Sequence, residues 1–203
     1  MINLPDVTLV CIDCLNYRKA VRAIMYSMRD IKFGDALFFT DTEFDIPDVK
    51  VVLIDSINST KEYCEFLVNE VVDYIKTDYM LIIQWDGFVL NPDSWADEFL
   101  EYDYIGALWG YTLSNPNDLY CVGNGGFSLR SKTFMDIAKN DINIEQIFPE
   151  DHHLCRTYRP YLEELGIRYA PPELAAKFSV ECVGTINNQF GFHQPRTHEI
   201  VRL

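Results

Sequence analysis

An acidic residue at the end of an apolar run is the feature of this sequence that most directly indicates chemistry. The run Tyr79-Met-Leu-Ile-Ile is typical of a buried strand, and it ends abruptly at Gln84-Trp85-Asp86-Gly87. In open α/β sheets, ligands bind in the crevice outside the carboxyl ends of the strands. A carboxylate there can hold a divalent cation on a phosphate, and the glycine lets a ligand approach the backbone. The Asp-Gly pair is also typical of a simple turn, so this motif alone leaves both interpretations open.

A second candidate is the glycine-rich segment Gly123-Asn124-Gly125-Gly126. It contains too much glycine for the interior of a stable helix or strand. One interpretation is a loop whose backbone passes close to a bound ligand, and the other is a bulge at the start of a strand. Arg130 follows shortly after and could neutralise a phosphate, although a surface ion pair is slightly favoured.

The composition limits the classes of partner. The 203-residue chain has 17 basic and 31 acidic residues, which gives a net charge of −14. This field repels a nucleic-acid backbone, so we expect no binding of DNA or RNA. It would also repel a nucleotide diphosphate unless a divalent cation or a local group of basic side chains reverses the sign inside the site. The hydrophobic content of 48% is that of a globular chain long enough for one sizeable core.

The sequence gives no sign of a secretion signal or a membrane segment. The start Met1–Asp6 lacks a basic region followed by a long apolar one, and no apolar run approaches about 18 residues. The cysteines at 11, 14, 64, 121, 155 and 182 are scattered, which favours reduced, buried thiols. Cys11 and Cys14 have the spacing of a redox or zinc motif, but strand alternation would turn them to opposite faces. We therefore predict a cytoplasmic protein.

Apolar runs alternate with amphipathic stretches through the first half of the chain. Strands are predicted at 7–13, 36–40, 49–54 and 79–84, and helices at 16–29 and 58–76. The first helix is expected to begin at an Asn16 cap and to bury Val21, Ile24, Met25 and Met28. This alternation predicts a mainly parallel, Rossmann-like sheet with helices on both faces, in an α/β domain.

The pattern changes after Asp86. Here we predict a short helix at 92–100, a strand at 104–109, a surface loop at 110–120, a strand at 127–130, a helix at 131–139 and a strand at 177–180. Ser131 is the expected cap of its helix, whose N-terminus would favour an anion. No linker or repeat interrupts the chain, so a single domain is expected.

The order of these motifs resembles that of GT-A-type glycosyltransferases. The resemblance rests on Asp86, Tyr102-Asp-Tyr-Ile-Gly-Ala-Leu-Trp109, Gly123-Asn-Gly-Gly-Phe-Ser-Leu-Arg-Ser131, Pro149-Glu-Asp-His-His153 and Phe190-Gly-Phe-His193. It is strongest to an uncharacterised glycosyltransferase-like family in which these motifs recur in this order, and it covers about Thr8 to His193. It implies a GT-A-like fold, with a nucleotide-sugar-binding half at about 1–100 and an acceptor or catalytic half at about 101–203.

The resemblance also implies a metal site with one departure from the usual motif. GT-A enzymes usually have Asp-x-Asp, whereas this chain has Gln84-Trp85-Asp86 and keeps only the last acid. One carboxylate, with phosphate oxygens and waters, can still hold Mg²⁺ or Mn²⁺. A histidine near the C-terminus completes this site in several relatives, and His193 matches its place in the motif order. Imidazole favours Mn²⁺ over Mg²⁺, but a core histidine in an aromatic segment is an equal alternative.

The pair Glu150-Asp151 resembles the acidic element of inverting relatives, in which a carboxylate deprotonates the acceptor hydroxyl. A positioned base accelerates such a step by about 10²–10⁴-fold, because a sugar hydroxyl is a poor nucleophile. We expect Asp151 to be the base in preference to Glu150. The alternative is that both acids simply favour the N-terminus of a helix after Pro149.

Donor contacts are expected at the ends of the predicted strands. Asp13, Thr40 and Asp41 end the first two strands, where the resemblance places the base and ribose, although such residues are also ordinary caps and turns. The full set of expected donor-binding residues is Asp13, Thr40, Asp41, Gln84, Trp85, Asp86, Gly87, Asn124, Gly125, Gly126 and Arg130.

The expected activity is transfer of a sugar from a nucleotide-diphosphate donor to an acceptor hydroxyl, and inversion of the anomeric centre is the favoured outcome. A glycan, a lipid-linked saccharide, a protein or a small molecule could each be the acceptor. Two alternatives stay open. The missing first acid suggests a non-catalytic nucleotide-sugar- or glycan-binding relative. A metal-dependent phosphoesterase or nucleotidyltransferase is less favoured, because two metals need clustered acids.

Overall fold

A six-stranded mixed sheet forms the centre of the protein in the computed structural model, which describes residues 1–109, 120–181 and 186–194. Its strands are β1 Ile2–Ile12, β2 Ile31–Thr40, β3 Lys50–Leu53, β4 Tyr79–Ile83, β5 Tyr104–Gly106 and β6 Ser128–Ser131. The order in the sheet is β3-β2-β1-β4-β6-β5. The first four strands pair in parallel, and β6 is antiparallel to both β4 and β5. The predicted α/β class with a mainly parallel sheet is confirmed.

Six helices accompany the sheet in the described residues. They are α1 Tyr17–Ser27, α2 Thr60–Asn69, α3 Lys132–Asn140, α4 Glu150–His152, α5 Arg159–Glu164 and α6 Pro172–Phe178. A π-helical turn, His153–Thr157, continues α4. Two short strands, β7 Ser179–Val180 and β8 Gly191–Phe192, form a separate parallel pair.

The core lies on both faces of the sheet because β1 is buried on both sides. Alternation along β1 sends Leu9 and Cys11 into one hydrophobic cluster, which includes residues of α1 and α6. Val10 and Ile12 enter the other cluster, with residues of α2 and α3. The expected arrangement of helices on both faces is therefore correct.

The helix starts were predicted more accurately than the helix ends. Ser59 caps α2 and Ser131 caps α3, each by accepting a backbone N–H three residues further on. Asn16 lies at the cap position of α1, but its side chain makes no capping bond, and Asp13 Oδ1 accepts the N–H groups of Leu15 and Asn16 instead. The second helix ends at Asn69 and gives way to a 3₁₀ turn at Val71–Tyr74, well before the expected 76.

The buried face of α1 is rotated from the predicted one. Ala20, Ala23, Ile24 and Ser27 are buried, whereas Met25 is 48% exposed. Of the predicted residues, Ile24 is buried and Val21 and Met28 pack partly buried against the core, so the face turns only slightly, towards Ala20 and Ala23.

Three predictions in the second half needed correction. The expected helix at 92–100 is two 3₁₀ turns, Pro92–Ser94 and Asp97–Glu101. The expected strand at 177–180 is the end of α6 followed by the two residues of β7. The strand expected at 104–109 stops at Gly106. The expected loop at 110–120 lies outside the described residues except for its last position.

The five described cysteines are free and buried, as expected for reduced thiols, and Cys182 lies outside the described residues. Within the described part of the chain, no helix is both long and apolar enough to cross a membrane.

Candidate active site

A cleft of about 360 Å³ lies at the carboxyl ends of β1 and β4. This is the edge at which open α/β sheets bind ligands. The residues that line it come from the ends of both strands, the entry to α2 and the end of the described chain: Ile12, Asp13, Cys14, Leu15, Asn16, Ile57, Asn58, Ser59, Thr60, Tyr63, Gln84, Trp85 and Gln194. Three of the expected donor contacts, Asp13, Gln84 and Trp85, therefore face one cavity.

Two helix N-termini border this cleft. Asn16 precedes α1, and Asn58 to Thr60 lead into α2, where the Ser59 and Glu62 side chains already accept two backbone N–H groups. The N-terminal ends of helices carry partial positive charge and favour anions. Lys19 adds a cation, since its Nζ lies 4.1 Å from the centroid of the Trp85 ring. These groups make the cleft more favourable for a phosphate than the net charge of the chain implies.

The segment Gln84-Trp85-Asp86-Gly87 is a tight turn at the end of β4. The Gln84 N–H donates to the Gly87 carbonyl over 2.8 Å, and the Gly87 N–H donates to the Gln84 carbonyl over 3.1 Å. The segment is therefore a turn at the end of a strand, and a ligand-binding role for Asp86 stays a prediction. The turn presents Gln84 and Trp85 to the cleft and directs Asp86 towards His193.

His193 is buried among four polar side chains from three separate segments. Its Nε2 lies 3.0 Å from Gln84 Oε1 and 3.8 Å from Asp86 Oδ1. Its Nδ1 lies 3.0 Å from Glu181 Oε1 and 2.9 Å from Asn124 Nδ2. The resemblance placed Asp86 and His193 at one site, and the structure brings these two side chains together.

Asp86 carries a half-buried carboxylate whose hydrogen-bonding capacity is only partly used. Burial raises its pKa, and nearby His193 opposes that increase. Its Oδ1 is buried and has no hydrogen-bond partner among the described residues. One carboxylate oxygen, one imidazole nitrogen and the amide oxygen of Gln84 form a donor set that suits Mn²⁺. The described residues hold no cluster of three or more His, Cys, Asp or Glu placed to hold a metal ion.

The glycines of segment 123–126 face protein side chains rather than open space. A Cβ on Gly123 would lie 2.2 Å from the Trp109 ring, and one on Gly126 would lie 2.1 Å from His193 Nε2. At Gly125 it would lie 2.5 Å from Glu150 Oε1. The space beside these glycines is filled by Trp109, Glu150 and His193, and a close approach of their backbone to a sugar or acceptor stays a prediction.

Arg130 and Glu150 form a buried ion pair beneath this segment. Arg130 Nη2 lies 2.8 Å from Glu150 Oε1, and the Arg130 side chain is fully buried. The favoured interpretation of Arg130 as a surface ion pair is therefore wrong in its location. Its guanidinium has no exposed surface for a phosphate. Glu150 Oε2 also accepts from the Cys64 thiol over 3.2 Å, so the carboxylate is held by two buried partners.

Asp151 lies next to Glu150 but in a different environment. Its side chain is half-buried, with Oδ2 accepting from the Gly125 N–H over 3.2 Å and Oδ1 from the His152 N–H over 2.7 Å. Burial, with a smaller contribution from the charge of Glu150, raises the pKa of Asp151 to about 6. A carboxylate with that pKa is a competent proton acceptor near neutral pH.

The remaining donor predictions lie off the cleft. Thr40 is buried, and its hydroxyl has no partner among the described residues. Asp41 accepts hydrogen bonds from the Ser56, Tyr17 and Thr42 hydroxyls, and these bonds lower its pKa, with Ser56 contributing most. Asp41 therefore fits the alternative interpretation as a turn residue, and its role towards a donor stays a prediction.

Sequence reasoning missed Tyr63, Glu181 and Gln194. Tyr63 and Gln194 line the cleft, and Glu181 contacts His193. Helical spacing from the Ser59 cap could have placed Tyr63 on the first turn of α2. No local pattern indicates Glu181 or Gln194, because both reach the site through the pairing of β7 with β8.

The fold is that of a GT-A-like α/β protein. A solved structure described as "Mannosyltransferase PcManGT from Pyrobaculum calidifontis in complex with GDP-Man and Mn2+" matches with a TM-score of 0.52 at 10% identity. The match covers 84% of this chain and 57% of that chain, so this chain spans little more than half the length of its structural relative. At this identity the likeness shows the fold alone.

Residues 47–193 match the family described as "Protein of unknown function (DUF5672)", and the chain belongs to that family. No curated protein matches the sequence.

Proposed function

We propose that this protein is a glycosyltransferase that moves a sugar from a nucleotide-diphosphate donor to an acceptor hydroxyl. The observation that carries the proposal is the joint placement of two different carboxylates around segment 123–126. Asp86 lies beside His193 with an unpartnered oxygen, and Asp151 has a pKa of about 6. Gly126 packs against His193, whereas Gly125 donates to Asp151, so the same backbone connects both carboxylates.

The cleft is the proposed donor site. Asp13 keeps one oxygen for the N–H groups that begin α1, which leaves the other for a hydroxyl or a base N–H of the donor. Trp85 is 36% exposed and offers a ring on which a planar or apolar face can stack. The proposed division of labour gives the donor mainly to about 1–100 and the acceptor to about 101–203.

Asp86 and His193 are the proposed holders of a divalent cation, Mn²⁺ or Mg²⁺. When bound, such a cation stabilises the charge that develops on the leaving diphosphate. The neighbouring residues of this chain orient the site: Glu181 and Asn124 contact the far nitrogen of the His193 ring, and Gln84 contacts the near one.

Asp151 is the proposed general base. Deprotonated Asp151 accepts the proton of the acceptor hydroxyl as the oxygen attacks the anomeric carbon and the bond to the diphosphate breaks. Attack from the face opposite the leaving group inverts the anomeric centre. Glu150 is not suited to this step, because its carboxylate is buried and its charge is paired with that of Arg130. The acceptor class, a cytoplasmic location and the inverting outcome remain part of the proposal.

One rival function is supported by an observation of its own. The first acid of the usual Asp-x-Asp motif is Gln84, and its amide oxygen already contacts His193. A non-catalytic nucleotide-sugar-binding relative could keep the cleft without turnover.

The test combines binding and turnover. UDP-, GDP-, CMP- and dTDP-sugars are screened by thermal shift with and without Mn²⁺. A donor at 100-fold over its dissociation constant should stabilise the protein by about 2.7 kcal/mol. With the donor identified, Asp151→Asn should lose at least about a hundredfold in kcat while binding the donor normally, because the loss lies in the transition state.

Asp86→Asn should remove both turnover and the dependence on Mn²⁺ while leaving the fold intact. The product configuration is read by NMR. Donor binding without turnover in the wild type would support the rival, and a retained configuration or an active Asp151→Asn enzyme would reject Asp151 as the base.

A further inference from the structure

We propose that Glu150 is a positioning residue: with Arg130 it fixes the Gly125 peptide so that the Gly125 N–H is held on Asp151. The inference rests on the proposed function of Asp151 as the base. It assigns to the first acid of the pair a role different from that of the second.

The first step is the clamp on the Gly125 carbonyl. That oxygen accepts from Arg130 Nη2 over 3.3 Å and from the Ser128 hydroxyl over 3.0 Å. Arg130 Nε in turn donates to the Ser128 hydroxyl oxygen over 3.0 Å. The Gly125 N–H belongs to the preceding peptide group, whose Asn124 carbonyl accepts from the Tyr104 hydroxyl over 2.7 Å, and because a peptide group is planar that bond also sets the direction of the Gly125 N–H. The bonds to the Gly125 carbonyl hold the next peptide group, so the backbone is restrained on both sides of Gly125.

The second step is what holds Arg130 in place. Its guanidinium is fully buried, stacks 5.4 Å from the centroid of the Tyr104 ring and pairs with Glu150 Oε1 over 2.8 Å. The Tyr104 hydroxyl donates to the carbonyls of Gly123 and Asn124. Buried side chains thus hold three consecutive carbonyls of the segment, and Glu150 supplies the charge that makes the buried guanidinium tolerable.

The third step is the space at residue 125. Any Cβ there would lie 2.5 Å from Glu150 Oε1 and 3.2 Å from Asp151 Cβ. Glycine therefore permits the Glu150 carboxylate to approach the backbone that it fixes. With the peptide oriented in this way, the Gly125 N–H reaches Asp151 Oδ2 over 3.2 Å and leaves Oδ1 on the His152 N–H.

Charge accompanies position. Among the described residues, five ionisable groups interact with the charge of Asp151. Glu150 and Arg130 shift the pKa of Asp151, and Asp151 in turn raises the pKa values of Cys64, Tyr104 and Cys155. Burial raises the pKa of each of the two thiols and of the phenol, so all three are neutral near pH 7. Of these groups, only Glu150 and Arg130 carry charge, and Glu150 raises the pKa of Asp151 while Arg130 lowers it.

The experiment compares Glu150→Gln and Glu150→Asp with the wild type. The control is Glu163→Gln, which breaks another ion pair, with Arg159 at 2.8 Å, that plays no part in the site. Two signals are followed by NMR as functions of pH: the Asp151 carboxyl carbon and the Gly125 amide proton. In the wild type both should titrate together near pH 6, because the amide donates to that carboxylate.

Glu150→Gln should lower the Asp151 midpoint by about one pH unit, since the like charge is gone. The acid limb of kcat should move to lower pH with it, and the plateau kcat should fall about tenfold with an unchanged donor KM. Glu150→Asp keeps the charge, so its midpoint should stay near that of the wild type while the plateau kcat falls. Glu163→Gln should change neither signal.

Three outcomes overturn the inference. The first is a Gly125 amide that does not follow the Asp151 titration in the wild type, a result that requires no variant to fold. The second is a loss of stability in urea for both Glu150 variants while the folded enzyme keeps its kcat and its pH profile, which is the behaviour of a purely structural residue. The third is the appearance in Glu163→Gln of the same changes as in Glu150→Gln. The proposed function fails separately: an active Asp151→Asn enzyme rejects the base but leaves the NMR test of Glu150 intact.

Discussion

The two sides of segment 123–126 handle buried charge in opposite ways. On the base side, Arg130 and Glu150 form a pair in which each charge is compensated. On the histidine side, His193 lies 3.0 Å from Glu181 and 3.8 Å from Asp86, so two carboxylates flank one imidazole. Asp86 Oδ1 has no hydrogen-bond partner among the described residues. Buried polar groups in folded proteins are normally satisfied.

We expect this difference to separate residues that build the site from residues that are available for a ligand. Arg130 and Glu150 compensate each other's charge, and Arg130 also holds the Gly125 carbonyl. A buried carboxylate without a cation in contact is costly, and binding of a cation or a proton donor would offset that cost. Asp86 fits this second description by its buried oxygen without a hydrogen bond to the described residues, and Asp151 fits it by its raised pKa.

The largest expected effect breaks the compensated side. Arg130→Met should destabilise the protein by about 3–5 kcal/mol, because it leaves the Glu150 charge buried without its cation. Adding Glu150→Gln should recover a large part of that loss. Urea denaturation of the wild type, both single variants and the double variant gives the coupling directly.

The matched control is the more exposed ion pair between Lys139 Nζ and Asp73 Oδ2, which lie 2.6 Å apart. Lys139→Met should cost less than about 1 kcal/mol, since exposed pairs contribute little. Equal losses at the two sites would show that burial does not distinguish them.

The second prediction sharpens the role of Asp151. Its folded pKa, about 6, lies above the ordinary value of 3.8, so the folded state binds more protons than the unfolded state between those pH values. The contribution of Asp151 to stability therefore falls as the pH rises through this window. Asp151→Asn removes this titration. The unfolding free energy of the variant minus that of the wild type should therefore increase by up to about 3 kcal/mol from pH 3 to pH 7.

Comparing the two proteins across pH cancels the constant loss of one accepted hydrogen bond in the variant. Parallel stability curves for the wild type and Asp151→Asn would mean that the carboxyl is not perturbed in the folded state.

The third prediction tests the packing on the histidine side. Gly126→Ala places a Cβ 2.1 Å from His193 Nε2, so the ring must move. We expect a loss of about 1–3 kcal/mol, as for other overpacked sites. In a His193→Ala background the same change should cost much less, because the obstructing ring is gone. Additive effects in denaturant would refute the contact.

The smallest expected effect concerns Glu181. If this carboxylate orients His193 for a cation, Glu181→Gln should weaken Mn²⁺ binding about 10–100-fold in the presence of a nucleoside diphosphate, without a change in fold. Mn²⁺ titration followed by EPR measures this directly. Glu173→Gln, a change at an exposed residue of α6, is the control. An unchanged affinity in Glu181→Gln would make this residue a structural partner of the histidine.

Much of the first half of the fold could be predicted because its signals are local. Continuous apolar strands and capped amphipathic helices identify a parallel sheet covered on both faces, and the strand-end position of Asp86 follows from the same pattern. The second half was predicted less well. Its short strands and 3₁₀ turns carry little periodicity, and the end of α6 was predicted as a strand because Phe178 and Val180 flank the polar Ser179, an alternation that is typical of a strand.

The sequence by itself determined the class of the fold, the order of the motifs and the identity of the groups able to do chemistry, because these depend on residue type and on spacing along the chain. Only the tertiary structure decided their roles. Glu150 and Asp151 are neighbours on one short helix, yet the buried Arg130 of β6 forms an ion pair with Glu150, whereas Asp151 has a raised pKa. Burial and charge compensation are properties of the surroundings in space, and residues distant in sequence supply them.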